Sequence, residues 1–262
     1  MACLWKTQKK PRLVVCAVYV PARKDSVLPK SNSPLSLTVV SVTMPGDVTQ
    51  TSKNILNLDA DSFGFSHDRT WNSMPAALTG KFTRKSAFDS LAHVHPRIRE
   101  SVATLCDIGH SEPRDTRAFS AFPSAGIRPV QGLRISEECV IRAKATCWYV
   151  EKDIPVIPIL QPRKAQFQDI QLARYCALAR KAFCNGDWSA AQIGLVDLAG
   201  GDGSYSLLSE HELPAVDDDA LNEFVATYLQ GFEMAKETRA AYPEKYKARG
   251  KKPPEAPLFD WL

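Results

Sequence analysis

The run "VIRAKATCWYV", residues 140–150, alternates without a break. Ile141, Ala143, Ala145, Cys147 and Tyr149 fall on one face of an extended chain, and Arg142, Lys144, Thr146 and Trp148 fall on the other. Such a pattern predicts a half-buried strand over residues 139–150, and a half-buried strand needs both a partner and a covering layer. The next residues supply the partner. "EKD" is a tight connection, and "IPVIPIL" returns as a second strand over 154–161, giving an antiparallel hairpin. Pro155 and Pro158 each remove a ladder donor, so this second strand is expected at an edge or a bulge.

The pattern then changes period. Residues 166–184 read as a helix ending at Asn185-Gly186, a pair suited to a left-handed cap. "AQIGLVDLA" follows as a strand, "GGDG" as a turn and "SYSLL" as a further strand. Leu221, Phe224, Val225, Tyr228 and Phe232 recur at helical spacing behind Asp217, Asp218 and Asp219, which predicts an amphipathic helix with an acidic start. Upstream, residues 96–106 form a helix candidate opened by Pro96. Before that the signal fades: strand-like runs at 13–20 and 37–43 flank a Pro/Ser/Lys loop, and 45–85 shows no sustained period. The expected organisation is an unassigned N-terminal region over 1–90, a mixed α/β domain over 91–242, and a tail over 243–262.

Charge and cysteine usage narrow the function classes. The net charge is +4, too small to imply nucleic acid, but residues 236–252 carry seven Lys or Arg against two Glu, a net +5. That segment is either a surface for a phosphate backbone or a solvated end. The final "EAPLFDWL" is acidic and aromatic, a composition suited to a partner groove. Seven cysteines are scattered, never as CxxC, so buried thiols in a reducing, cytoplasmic setting are expected. His93 and His95 would share a strand face without a supporting ligand nearby, so no metal site is expected. Residues 6–20 resemble a signal peptide in outline, with a short core and no clean cleavage site. No apolar run approaches the roughly 20 residues of a membrane span.

The order of elements, with a hairpin leading into a helix that carries Gln171 and Tyr175 as Gln-x-x-x-Tyr, resembles the PD-(D/E)XK nuclease superfamily and within it the RecB-like exonucleases. The resemblance covers about residues 96–198. It implies a restriction-endonuclease-like core: a central mixed sheet flanked by helices. In that family one strand carries an Asp and the next ends in Glu-x-Lys. Here Gln161 stands for the Glu and Arg163 for the Lys, with Lys164 beside it, and "RAKATCW" contains no carboxylate. Hard divalent cations need anionic oxygens, and a neutral amide is a poor substitute. The resemblance therefore implies a catalytically degenerate nuclease-like domain with no cofactor. It would bind DNA or a nucleic-acid-processing partner, with Arg142, Lys144, Arg163 and Lys164 as its basic patch.

Two alternatives stay open. An active exonuclease would take magnesium or manganese on migrated ligands such as Asp153 or Glu138. An accessory protein without a nucleic-acid role would act through its C-terminal tail and a protein partner.

Overall fold

Seven α-helices and two sheets make up the described part of the molecule, a computed structural model that describes residues 16–17, 35–60, 67–111, 120–121, 130–136, 139–199 and 203–246. Five helices precede the main run of strands: α1 (Leu35–Val42), α2 (Val48–Ala60), α3 (Asp68–Leu78), α4 (Arg84–Ser90) and α5 (Pro96–Ser111). The strand expected at 37–43 is thus a helix. Its "LSLTVVSV" run is buried from Ser36 to Val40. A helix buried on all sides shows no period, and a short apolar run cannot be told from a strand. The segment without a period, 45–85, holds α2, α3 and the start of α4. Pro75 lies inside α3 and breaks the local pattern there. The start of α2 is fixed by Asp47, whose Oδ1 accepts from Gln50 N at 2.8 Å.

The strands that follow are β2 (Ser120–Ala121), β3 (Val130–Arg134), β4 (Val140–Lys144), β5 (Cys147–Glu151) and β6 (Ile154–Gln161), numbered after β1 (Cys16–Ala17). The alternating segment 139–150 is therefore two strands. It divides at Ala145–Thr146, where β4 stays with β1 and β3 in one antiparallel sheet while β5 joins a second sheet between β2 and β6. The alternation survives the division, because both halves keep the same side inward: Ile141, Ala143, Ala145, Cys147 and Tyr149 are all buried.

The expected hairpin forms between β5 and β6, with Tyr149 opposite Val156 and Glu151 opposite Ile154. Its turn places Lys152 and Asp153 at positive φ, 50° and 64°. Strand β6 is central rather than an edge, and its pairing with β7 (Gln192–Asp197) runs in unbroken parallel register from Val156 to Gln161. The prolines are accommodated without a bulge there. Pro155 sits next to the turn, and Pro158 lies past the last registered pair with β5, where a missing N–H interrupts little of the ladder. Helix α6 (Asp169–Phe183) makes the crossover from β6 to β7, and β8 (Ser206–Ser209) closes the sheet in antiparallel fashion.

The last helix, α7 (Asp218–Ala241), starts where the acidic run predicts. Asp217 Oδ1 caps it by accepting from Ala220 N at 2.7 Å. Helix α7 packs along α2, and Gly231 allows that approach, since a Cβ there would lie 2.6 Å from Thr51 Cγ2. Residues 35–60, on the N-terminal side of the boundary expected at residue 90, thus share one apolar core with α5, α6, α7 and the sheets. No helix among the described residues is long and apolar enough to cross a membrane. The signal-peptide outline falls on residues outside the described set apart from Cys16 and Ala17, as do residues 247–262 of the tail.

Candidate functional site

Parallel strands joined by a crossover helix leave a crevice beyond their C-terminal ends, and Gln161, Arg163 and Asp197 lie at that end of β6 and β7. Gln161 ends β6 directly opposite Asp197, which ends β7. The Gln161 side chain is fully buried. Its Nε2 donates to Arg163 O at 3.0 Å and Ala165 O at 3.1 Å, and its Oε1 accepts from Arg163 N. The amide thus latches the turn that leaves the strand. A carboxylate at this position has no hydrogen to give, so the latch depends on glutamine.

Asp197 is the carboxylate beside that latch. Burial raises its pKa, while the Ala199 N–H and the Gln161 amide pull it down. Arg97, near the start of α5, ties the two strand exits together: its Nη2 donates to Leu198 O at 2.8 Å and lies 3.5 Å from Pro162 O. Arg163, on the β6 exit, is held by α1, with Nη1 donating to Ser41 Oγ at 3.2 Å. Burial lowers its pKa.

His67 stands at the N-cap of α3 and is 7% exposed. Burial lowers its pKa from 6.5 to about 4, with Arg163 and Arg97 pushing in the same direction, Asp68 opposing and His95 adding a small repulsion. Lys144, at the end of β4, reaches the same neighbourhood. Its Nζ donates to Asn72 Oδ1 at 3.0 Å and lies 3.8 Å from Asp68 Oδ1.

The structure therefore brings Lys144 to Asp68 and Arg163 within electrostatic reach of His67, and does not bring in the rest of the expected patch. Arg142, two residues before Lys144 on the same face of β4, and Lys164, next to Arg163, are exposed and make no hydrogen bond or ion pair among the described residues. Gln171 stays away from the strand exit: its Oε1 accepts from Gln168 N at 2.9 Å and caps α6. Tyr175, one turn further, is 1% exposed, and its hydroxyl donates to Leu160 O at 3.2 Å. Burial raises that hydroxyl above its ordinary value. The Gln-x-x-x-Tyr spacing thus serves two different places, a helix cap and the strand β6 backbone.

Three site residues were not legible beforehand. Arg97 and His67 lie far upstream of Arg163, and no spacing links them. Asp197 had a signal, as the one carboxylate closing the apolar strand "QIGLVD".

Two other expectations are corrected here. His93 and His95 lie in a turn between α4 and α5, not on a strand; His93 Nε2 sits 3.3 Å from Arg69 Nη1, and His95 Nδ1 accepts from Arg97 N at 3.1 Å. Asp153 lies in the hairpin turn at the opposite end of β6 from Gln161, about 25 Å away for eight residues of strand, so it cannot act as a migrated ligand. Glu138 is outside the described residues. Among the described residues, no three His, Cys, Asp or Glu side chains stand close enough to share a metal ion.

A cavity of about 400 Å³ opens toward the hairpin end of the sheet, where Gly194 leaves room for Tyr149 beside Val156 and Leu207. Its rim mixes Glu151, Lys152, His211 and Glu212 and gathers no single charge. Comparison with protein-family models, with curated proteins and with solved structures gives no match for this chain.

Proposed function

We propose that this chain is a nuclease-like domain that binds nucleic acid at the exit of β6 and β7 and has lost the carboxylates of a metal-dependent nuclease. The observation that carries this reading is the exchange of roles at Gln161. Where the family resemblance calls for a metal-binding carboxylate, a buried amide donates two hydrogen bonds to backbone carbonyls. Beside it stand Arg97 from α5 and Arg163 on the β6 exit, and Lys144 of β4 reaches Asn72 and Asp68 of α3. Supporting it further, the hairpin, the helix carrying Gln171 and Tyr175, and the parallel return strand follow in the order that a restriction-endonuclease-like core calls for. Cys106, Cys139, Cys147, Cys176 and Cys184 are free, which fits a reducing compartment and hence the cytoplasm.

Binding of this kind is electrostatic, so affinity for a DNA duplex falls steeply with salt as condensed counterions are released. Replacing Arg97, Lys144 and Arg163 together by Ala removes most of that affinity, as read by fluorescence anisotropy over a salt series. Affinity that ignores salt, or survives the three substitutions, sinks the reading. With magnesium or manganese no cleavage is expected. Gln161→Glu does not confer it, because β4 and β5 still carry no Asp, and it costs about 2 kcal/mol of stability by breaking the latch beside Asp197.

A further inference from the structure

We propose that the cavity at the hairpin end of the sheet is a binding site for a short apolar peptide with both of its ends free. It lies at the opposite end of β6 from Gln161, so the proposal stands apart from the nucleic-acid reading of the strand exit.

The cavity follows from what four adjacent strands send to one face. The register sets Tyr149 of β5 opposite Val156 of β6, Pro158 opposite Gly194 of β7, and Gly194 opposite Ser209 of β8, so all of them share that face. At Gly194 the face has no side chain. A Cβ there would lie 3.0 Å from Val156 Cγ1 and 3.2 Å from the Tyr149 hydroxyl, and glycine inside a strand permits just such a close approach. Leu207 of β8 flanks the same hollow. The floor is therefore apolar with one phenol oxygen in it. Its volume of about 400 Å³ falls at the lower end of the range for small-molecule sites, about 300–1,000 Å³.

The rim decides the ligand. Glu151 and Lys152 close the cavity from the turn between β5 and β6, and His211 and Glu212 close it from the segment after β8. Each end thus offers one carboxylate and one nitrogen base. Glu212 is held in place by accepting from Ser209 N at 2.6 Å. A polyanion such as a phosphate ester would meet a carboxylate at either end, and a polycation would meet Lys152. A zwitterion with an apolar middle meets an opposite charge at each end and rests its apolar part on the floor.

Length points the same way. Three strand spacings of about 4.8 Å put the β5 and β8 backbones about 14 Å apart. The rim side chains reach inward from both sides, which leaves room for two or three extended residues at about 3.4 Å each.

The test titrates the whole chain by calorimetry with the dipeptide Leu-Leu, its N-acetyl form and its C-terminal amide, and follows the Gly194 amide by NMR. The expected result is a dissociation constant on the order of 0.1 mM for Leu-Leu, a moving Gly194 resonance, and about tenfold weaker binding of each blocked form. No binding of Leu-Leu overturns the proposal. Equal binding of the blocked forms does so too, because the hollow would then make no use of its rim.

Two variants place the ligand. Lys152→Gln with His211→Gln changes only exposed side chains, so folding is not at stake. This pair weakens Leu-Leu about tenfold and leaves the amide, which has no carboxylate to lose, unchanged. An unchanged affinity for Leu-Leu overturns the rim's part. Leu207→Trp fills the hollow from the half-buried edge strand and abolishes binding. Full affinity in that variant, with its fold intact by circular dichroism, puts the peptide elsewhere and overturns the site.

Discussion

The seam between α3 and α5 and the exit of β6 are both buried, yet different physics holds them. At the seam, Gly109 lets two helices touch backbone to backbone: a Cβ there would lie 2.8 Å from Leu78 O and closer still to Ala77 O. Backbone carbonyls cannot swing aside. At the strand exit, contact is made through hydrogen bonds from side chains to carbonyls, from Gln161 to the turn and from Arg97 to Leu198 and Pro162. The first region is decided by volume and is indifferent to charge. The second is decided by which atoms carry hydrogens, and it responds to protons. A region that changes with protonation can respond to an anion, and a seam of close-packed helices cannot.

The largest test of this contrast adds one methyl group. Gly109→Ala forces α3 and α5 apart and costs about 3 kcal/mol in urea unfolding, by the same amount at pH 5 and pH 7. A loss that varies with pH would erase the distinction between the regions.

The next effect belongs to the exit. The folded-state pKa of His67 lies below its unfolded value, so the unfolded chain binds the proton first. Its contribution is complete above about pH 6.5 and is lost as pH falls toward about 4. About 3 kcal/mol disappears across that window, and His67→Gln flattens the slope. An unchanged slope in that variant would move the acid sensitivity elsewhere.

The smallest effects separate the two halves of the Gln-x-x-x-Tyr spacing. Tyr175→Phe loses the bond to Leu160 O while keeping the packing, at about 1 kcal/mol. Gln171→Ala loses one exposed cap bond, about 0.5 kcal/mol, and leaves DNA affinity unchanged. A fall in affinity with Gln171→Ala would return that residue to the site.

What could be read from residues alone was local. Alternation over 139–150 gave the strands, the change of period gave α6, and Asp217 with the apolar spacing from Leu221 to Phe232 gave α7, because each signal lies within a few residues and is written in hydrophobic periodicity. The candidate site was half legible for the same reason. Gln161, Arg163 and Lys144 lie on elements that the pattern predicts, whereas Arg97 and His67 reach them from helices whose placement no local pattern encodes.

Tertiary structure decided the rest. It made "LSLTVVSV" a helix, because burial on all sides removes the polar face that would announce one. It divided one alternating run between two sheets at Ala145–Thr146, a bend that leaves the inward face unchanged and so leaves no trace in the pattern. It also made Gln161 a latch. The residue type fixes what the side chain can donate, but only the folded chain decides that two backbone carbonyls stand 3.0 and 3.1 Å from its nitrogen.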